Sequence, residues 1–234
     1  MAHDHEKIIF NQILKELIKP VFKVEGFATS GRTFRKPENG FTKIFNIQCD
    51  SRDPKNVDFI FNIGFFIPYV HDLQYLRTLA PDKINEASCC YRTRVSQLGY
   101  EYEKWFTLTE KTKFKNIKSE VTKAVKVSID LFRSIKSIHD LLKPPEKYKD
   151  KFKHSLISDA PYLGIGLALI KLGDQKLGME LFSKGYSKFI ELLRKMKKIR
   201  EEKNLSHTYP EDRWKILVRI TNELKIPLKD KNYY

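Results

Sequence analysis

Between residues 41 and 65 apolar side chains recur at every second position, whereas from Lys111 onward they recur at every third or fourth. A strand sends successive side chains to opposite faces and a helix gathers every third or fourth on one side. This change of period therefore limits the fold more than any other feature of the chain. In 41–48, Phe41, Lys43, Phe45 and Ile47 share one face, and Thr42, Ile44, Asn46 and Gln48 the other. In 57–65, Val57, Phe59, Phe61, Ile63 and Phe65 oppose Asp58, Ile60, Asn62 and Gly64. A third run, 90–97, alternates Tyr91, Thr93 and Val95 with Cys90, Arg92, Arg94 and Ser96, and Trp105–Leu108 adds a short fourth. An arginine-led strand precedes them, with a turn built on Pro37, Asn39 and Gly40, while Asp53 and Pro54 mark the next turn. The pattern predicts an antiparallel sheet of three to five strands, each with one apolar face, packed with a helix.

That helix is the N-terminal segment, where Ile9, Ile13, Leu17 and Phe22 form a stripe, Pro20 predicts a kink and Gly26 suits the position after the last turn. Residues 68–88 read as a loop with a short helix. Past Lys111, Phe114, Ile117, Val121, Ala124, Ile129, Phe132, Ile135, Ile138 and Leu142 predict one long helix closed by Pro144 and Pro145. A helical pair broken at Gly173–Asp174 follows, then a last helix over about 211–224 that buries Trp214, Leu217 and Ile220. The fold class is α+β: an α+β domain over 1–110 and an all-helical subdomain, 111–234, packed against it.

The 234 residues carry a net charge of +15, of which +1 falls within 1–110 and +14 within 111–234. A basic half is a hint of polyanion binding; an AT-rich coding sequence, which favours Lys, Ile, Asn, Phe and Tyr, yields the same profile. Cys49, Cys89 and Cys90 make an odd count with two neighbours, which fits reduced thiols and a cytoplasmic protein. No window approaches the run of about 18 apolar residues that a membrane span requires, so no membrane association is expected.

Catalytic spacings fail one after another. GIGLAL at 164–169 lacks a third glycine and lies within a helix; GDQKLGM at 173–179 has Met179 where a phosphate loop needs lysine. None of His3, His5, His71, His139, His154 and His207 pairs with another at helical spacing, and there is no CxxC, so neither metal nor cofactor is expected. Glu101, Glu103 and Glu110 around Trp105 lack a spacing that would share a proton. Two surfaces remain. If the strands pair in register, Asn46, Gln48, Asn62, Arg92 and Arg94 gather on one sheet face, joined by Arg32 or Arg35, and guanidiniums beside amides suit a carboxylate or phosphate. The plainer reading of those residues is a solvated or helix-covered face. On the basic helix around 184–200, Lys184, Lys188, Lys195 and Lys198 follow one face with Arg194 nearby, and Leu181, Phe189, Leu192, Met196 and Ile199 form the buried stripe. Positive charge near a helix C-terminus is also ordinary.

The ordered blocks EGF, GRTF, KIFNIQCD, FIFNIGFFIP, CCYRTRV and YEKWFTL resemble a bacterial family known only as domain of unknown function 4304, over about residues 7–110. The resemblance implies a small α+β domain and transfers no catalytic residue; families of this kind often accompany toxin-immunity or accessory genes. Tyr162, Ile165, Gly166, Leu169, Gly178, Phe182 and Gly185 resemble a single tetratricopeptide hairpin over about 160–190, with Ile190 where the usual proline belongs and no second copy. The expected role is a non-enzymatic cytoplasmic binding or accessory protein, immunity-like, that acts through a protein partner. The alternative is a basic protein that binds nucleic acid through the 111–200 helices.

Overall fold

The computed structural model describes residues 4–50, 56–99, 104–148, 161–204 and 209–228. The expected turn at Asp53–Pro54, the histidines His3, His154 and His207, and Glu101 and Glu103 lie outside them.

The first helix, α1 (Asp4–Ile13), passes through a π-helical turn (Leu14–Ile18) into α2 (Lys19–Val24). Ile9, Ile13, Ile18 and Phe22 are buried, so the stripe takes a step of five between Ile13 and Ile18. Leu17, expected on that stripe, is only half-buried. Pro20 is the cause: it has no N–H for the Glu16 carbonyl and its ring crowds the preceding turn. The turn widens, Lys19 N–H donates to the Leu14 carbonyl five residues back, and the apolar face advances by one residue. The kink expected at Pro20 thus takes the form of a wide turn within a continuous helix. At its end Gly26 adopts φ +82°, Phe27 N–H reaches the Phe22 carbonyl at 2.9 Å, and the two rings meet edge-on at 5.0 Å.

β1 (Ala28–Ser30), β2 (Thr33–Glu38), β3 (Phe41–Asp50) and β4 (Val57–Phe66) follow, then α3 (Pro68–Tyr75) and two short 3-10 turns, Pro81–Lys83 and Glu86–Ser88. β5 (Tyr91–Arg94), α4 (Val95–Gly99) and β6 (Phe106–Leu108) complete the sheet region. The six strands form one sheet in the order β1-β2-β3-β4-β5, with β6 also paired to β4. The third predicted strand stops at Arg94 rather than at residue 97. The Gln97 side-chain oxygen accepts from Arg94 N–H at 3.1 Å and from Thr93 Oγ1 at 3.1 Å, which turns Val95 and Ser96 into a helix.

α5 (Phe114–Ser134) buries Ile117, Val121, Ala124, Ile129 and Phe132 as predicted, but the helix does not continue to Leu142. Ile135 is extended, and α6 (Ile138–Leu142) restarts behind a capping box: the Asp140 carboxylate accepts from Ser137 N–H at 2.8 Å, and Ser137 Oγ accepts from Asp140 N–H. Ile135 and Ile138 are both buried, so their spacing concealed the break. A 3-10 turn, Glu146–Tyr148, precedes α7 (Pro161–Lys171), α8 (Gln175–Glu202) and α9 (Tyr209–Glu223).

The chain forms two compact units. The first comprises the described residues of 4–38, 42–66 and 85–148, so α5 belongs with the sheet. Its core is aromatic: Phe22 lies 4.4 Å from Phe45 and 4.9 Å from Phe34, Phe45 lies 5.2 Å from Phe61, and Phe59 stacks on Phe106 at 5.1 Å. Phe59, Phe61 and Ile63 are at most 1% exposed, so the odd-numbered face of β4 is the one that α1, α2 and α5 seal. Fully burying each such ring is worth roughly 1.5–3 kcal/mol.

The second unit comprises the described residues of 39–41, 67–84 and 161–228. α7 and α8 form an antiparallel hairpin set by glycine. A Cβ on Gly166 would stand 2.5 Å from Phe182 N and 2.7 Å from the Gly178 carbonyl, and one on Gly164 2.6 Å from Val70 Cα of α3. Asp174 caps α8 by accepting from Leu177 N–H at 3.1 Å. α7 has 11 residues and α8 has 28, so α8 outruns its hairpin partner. Beyond Ile190 the buried position is Leu193, at 0% exposure, while Leu192 and Ile199 are 37% and 38% exposed and Met196 is half-buried. The predicted stripe through Leu192, Met196 and Ile199 is therefore wrong for that half of the helix, where α7 no longer sets which side faces inward. Among the described residues no helix is long and apolar enough to cross a membrane.

Candidate functional site

The sheet register brings the predicted amides together. Asn46 stands opposite Asn62, and Asn62 opposite Arg94, in one row across β3, β4 and β5. Ile44, Gly64 and Arg92 form the next row. Asn46 Nδ2 donates to Thr33 Oγ1 at 2.9 Å, and Asn62 Nδ2 donates to Gln48 Oε1 at 3.1 Å. Thr33 was not anticipated; its alternation with Phe34, which faces the aromatic core, was the available signal. Arg35 shares the parity of Thr33 and is half-buried at the same side. Arg32 does not join. It precedes the strand, its carbonyl accepts from Ile47 N–H at 3.0 Å, and its guanidinium reaches the Cys49 thiol. Burial raises the pKa of that thiol, and Arg32 offsets only part of the rise.

The face these residues occupy is mostly closed. Ile44, Ile60 and Asn62 are 0%, 1% and 3% exposed. A Cβ on Gly64 would fall 2.5 Å from Cys89 Sγ, so the segment after the Glu86–Ser88 turn lies directly on the Arg92 row. Arg92 sits 3.7 Å from Glu86. Gln48 is exposed, and Arg92 and Arg94 are half-exposed at the margin. Asn46 is thus satisfied by Thr33 and the buried Asn62 by Gln48, as buried polar groups must be, and the two arginines stand at the margin of the face.

On α8, Lys184, Lys188, Lys195 and Lys198 are all exposed and, at helical spacing, share the side away from the buried stripe. Lys184 Nζ lies 4.6 Å above the Tyr162 ring, and Lys198 pairs with Glu202 at 3.7 Å. Arg194 belongs to a different side. With Met179, Phe182, Tyr186 and Ile190 it lines a cleft of about 410 Å³, closed across the way by Pro227 and Leu228. Ser183 and Ser187 line it too. Phe182 and Tyr186 are stacked at 5.6 Å and 19°, and Met179 is 37% exposed.

The far wall is set by the end of α9. Ile226 N–H bonds the Thr221 carbonyl at 2.8 Å, with Lys225 in the left-handed conformation at φ +55°, which turns Pro227 and Leu228 back toward α8. Glu211 of α9 ion-pairs with Arg200 of α8, fixing the helices to each other further along. The sequence could have shown the α8 wall as a row at three- and four-residue steps; the Pro227 wall comes from too far along the chain to be read. A second cavity of about 140 Å³, lined by Pro68, Tyr69, Ala168 and Lys171 among others, is too small for more than a few atoms.

A match to a protein family, described as Domain of unknown function (DUF4304), covers residues 18–134, half of the chain. It begins within the π-helical turn and runs to the end of α5, taking in the whole sheet and extending beyond residue 110, where the resemblance was expected to stop. No curated protein and no solved structure matches the chain.

Proposed function

The chain belongs to the DUF4304 family, a membership that fixes no activity, and we propose that it is a non-enzymatic binding protein acting through contacts with a protein partner. The observation that carries this reading is the cleft on α8: a stacked Phe182–Tyr186 pair, a part-exposed Met179 and a serine-lined floor in a hollow of about 410 Å³. Its lining mixes aromatic and apolar groups with two serines and Arg194, a concave surface of the kind in which part of a partner lodges. Three free thiols, with Cys89 and Cys90 buried, support a reducing, cytoplasmic setting. The arginine margin of the sheet, Arg92 and Arg94, is a secondary contact for a carboxylate or phosphate.

The exposed row Lys184, Lys188, Lys195 and Lys198 supports nucleic-acid binding as a second reading, since phosphate contacts are made by such rows. One experiment separates the two: a photo-crosslinking residue placed at Ser183, or at Lys195, in the producing cells. The proposal expects a discrete protein adduct from Ser183 that disappears with Tyr186→Ala. Nucleic-acid adducts from Lys195 with none from Ser183 would overturn it.

A further inference from the structure

The helices that seal the sheet run side by side in the same direction. Near their starts His5 Nε2 lies 2.9 Å from the Thr112 carbonyl, and at their ends Arg133 ion-pairs with Glu25. α1–α2 and α5 therefore stay level over about 30 Å. Lys7, Lys15, Lys19 and Lys23 stand at multiples of four residues along the first helix, and all are exposed. In a regular helix each step of four drifts sideways by about 40°. The extra residue of the π-helical turn takes back most of that drift, so the four lysines keep to one side. Beside them α5 exposes Lys115, Lys118 and Lys126. None of these lysines has a bonding partner among the described residues. The exposed carboxylates described on the two helices, Glu16 and Glu120, are held by Gln12 at 3.0 Å and by Lys104 at 2.8 Å.

The same helix carries the apolar groups that the sheet unit leaves in water. Among its described residues these are Ile8 at 62% exposure, Val21 at 38% and Val24 at 85%. Ile8 adjoins Lys7 and Val24 adjoins Lys23, so an aliphatic group stands at each end of the cationic row. Duplex phosphates would satisfy the lysines yet leave those aliphatic groups against charge and water. An anionic bilayer takes both, its headgroups holding the lysines and its acyl boundary receiving the aliphatic ends. We infer that this two-helix face lies on an anionic lipid surface, with the lysines among the headgroups and Ile8 and Val24 at the acyl boundary. The contact goes beyond the protein-partner reading, and the cleft on α8 has no part in it. No described helix can cross a membrane, and a helix that lies in the interface has no need to.

The test is co-sedimentation of the full chain with vesicles of phosphatidylcholine alone, or of equal parts phosphatidylcholine and phosphatidylglycerol. Binding is expected to the mixed vesicles only, and it should weaken on going from low to moderate salt. Lys15→Glu/Lys19→Glu should weaken it by roughly tenfold or more, and Ile8→Ser/Val24→Ser by roughly threefold. All four positions are exposed, and an unchanged melting temperature shows that the variants fold. The proposal is overturned if neither vesicle binds, or if both bind alike. It is also overturned if Ile8→Ser/Val24→Ser binds the mixed vesicles as the parent does, since the face then reads phosphate alone. Retention on duplex DNA that Lys15→Glu/Lys19→Glu abolishes would in that case reassign it to nucleic acid.

Discussion

Lys43 is 4% exposed on the apolar side of β3, an uncommon place for an ammonium, and its Nζ lies 2.7 Å from Glu38 Oε1. Burial acts to raise the Glu38 pKa, but Lys43, with Lys36 at 3.5 Å, outweighs it and holds the carboxyl below its ordinary 4.5. A carboxylate depressed by folding stabilises the protein above its unfolded pKa and loses that contribution as pH falls through the folded one. Asp140 behaves alike: burial raises it, and the N–H groups of Lys136 and Ser137 more than compensate. Stability is therefore expected to decline below about pH 4.5, a decline that Glu38→Gln should flatten in thermal melts across pH 3–6. At pH 7, Glu38→Gln should cost about 1–3 kcal/mol because it removes the negative charge 2.7 Å from a buried ammonium, whereas Lys43→Met should stay within about 1 kcal/mol of the parent. Urea titrations of both variants check this; equal losses would mean that the attraction within the pair, rather than the burial of its ammonium, matters. The side of β3 on which Lys43 lies was legible from period two alone; the gathering of Asn46, Asn62 and Arg94 needed the register as well, which the sequence does not specify. Arg32 was not, because a turn residue obeys no alternation.

The helices show where pattern reading ends. Apolar spacing located α5 but not its end, since Ile135 and Ile138 remain buried on either side of the break. The informative residues were Ser137 and Asp140, a cap rather than a stripe. Ser137→Ala should cost about 1 kcal/mol, measurable by urea denaturation; no change would mean that the break is held by packing alone. In the α7–α8 hairpin the contact is backbone against backbone, so a methyl group has no flexible neighbour to displace. Gly166→Ala is expected to destabilise by about 1–3 kcal/mol or more, despite the better helix propensity of alanine. A gain in stability would show that the two helices can separate at little cost.

For the molecule as a whole, the +15 charge has a consequence independent of any partner. Self-repulsion opposes compaction and salt screens it over about 10 Å at 0.1 M. The melting temperature should therefore rise with sodium chloride, and a fall would mean that favourable ion pairs such as Arg200–Glu211 dominate instead. The sheet region was the more readable part because each strand repeats the same rule. The helical surface was not, since its cleft depends on Pro227 and Leu228 meeting α8 from across the sequence.

The ribosome delivers α3 long before the helix that covers it. Val70 packs against Gly164, and 94 residues separate them. At bacterial or eukaryotic elongation rates that is an interval of about 5–20 s. During it Tyr69, Val70 and Leu73, buried in the finished protein, have no α7 to lie under. Nascent chains of this protein pass through a stage with an uncovered apolar helix awaiting its lid, a stage that slower synthesis lengthens.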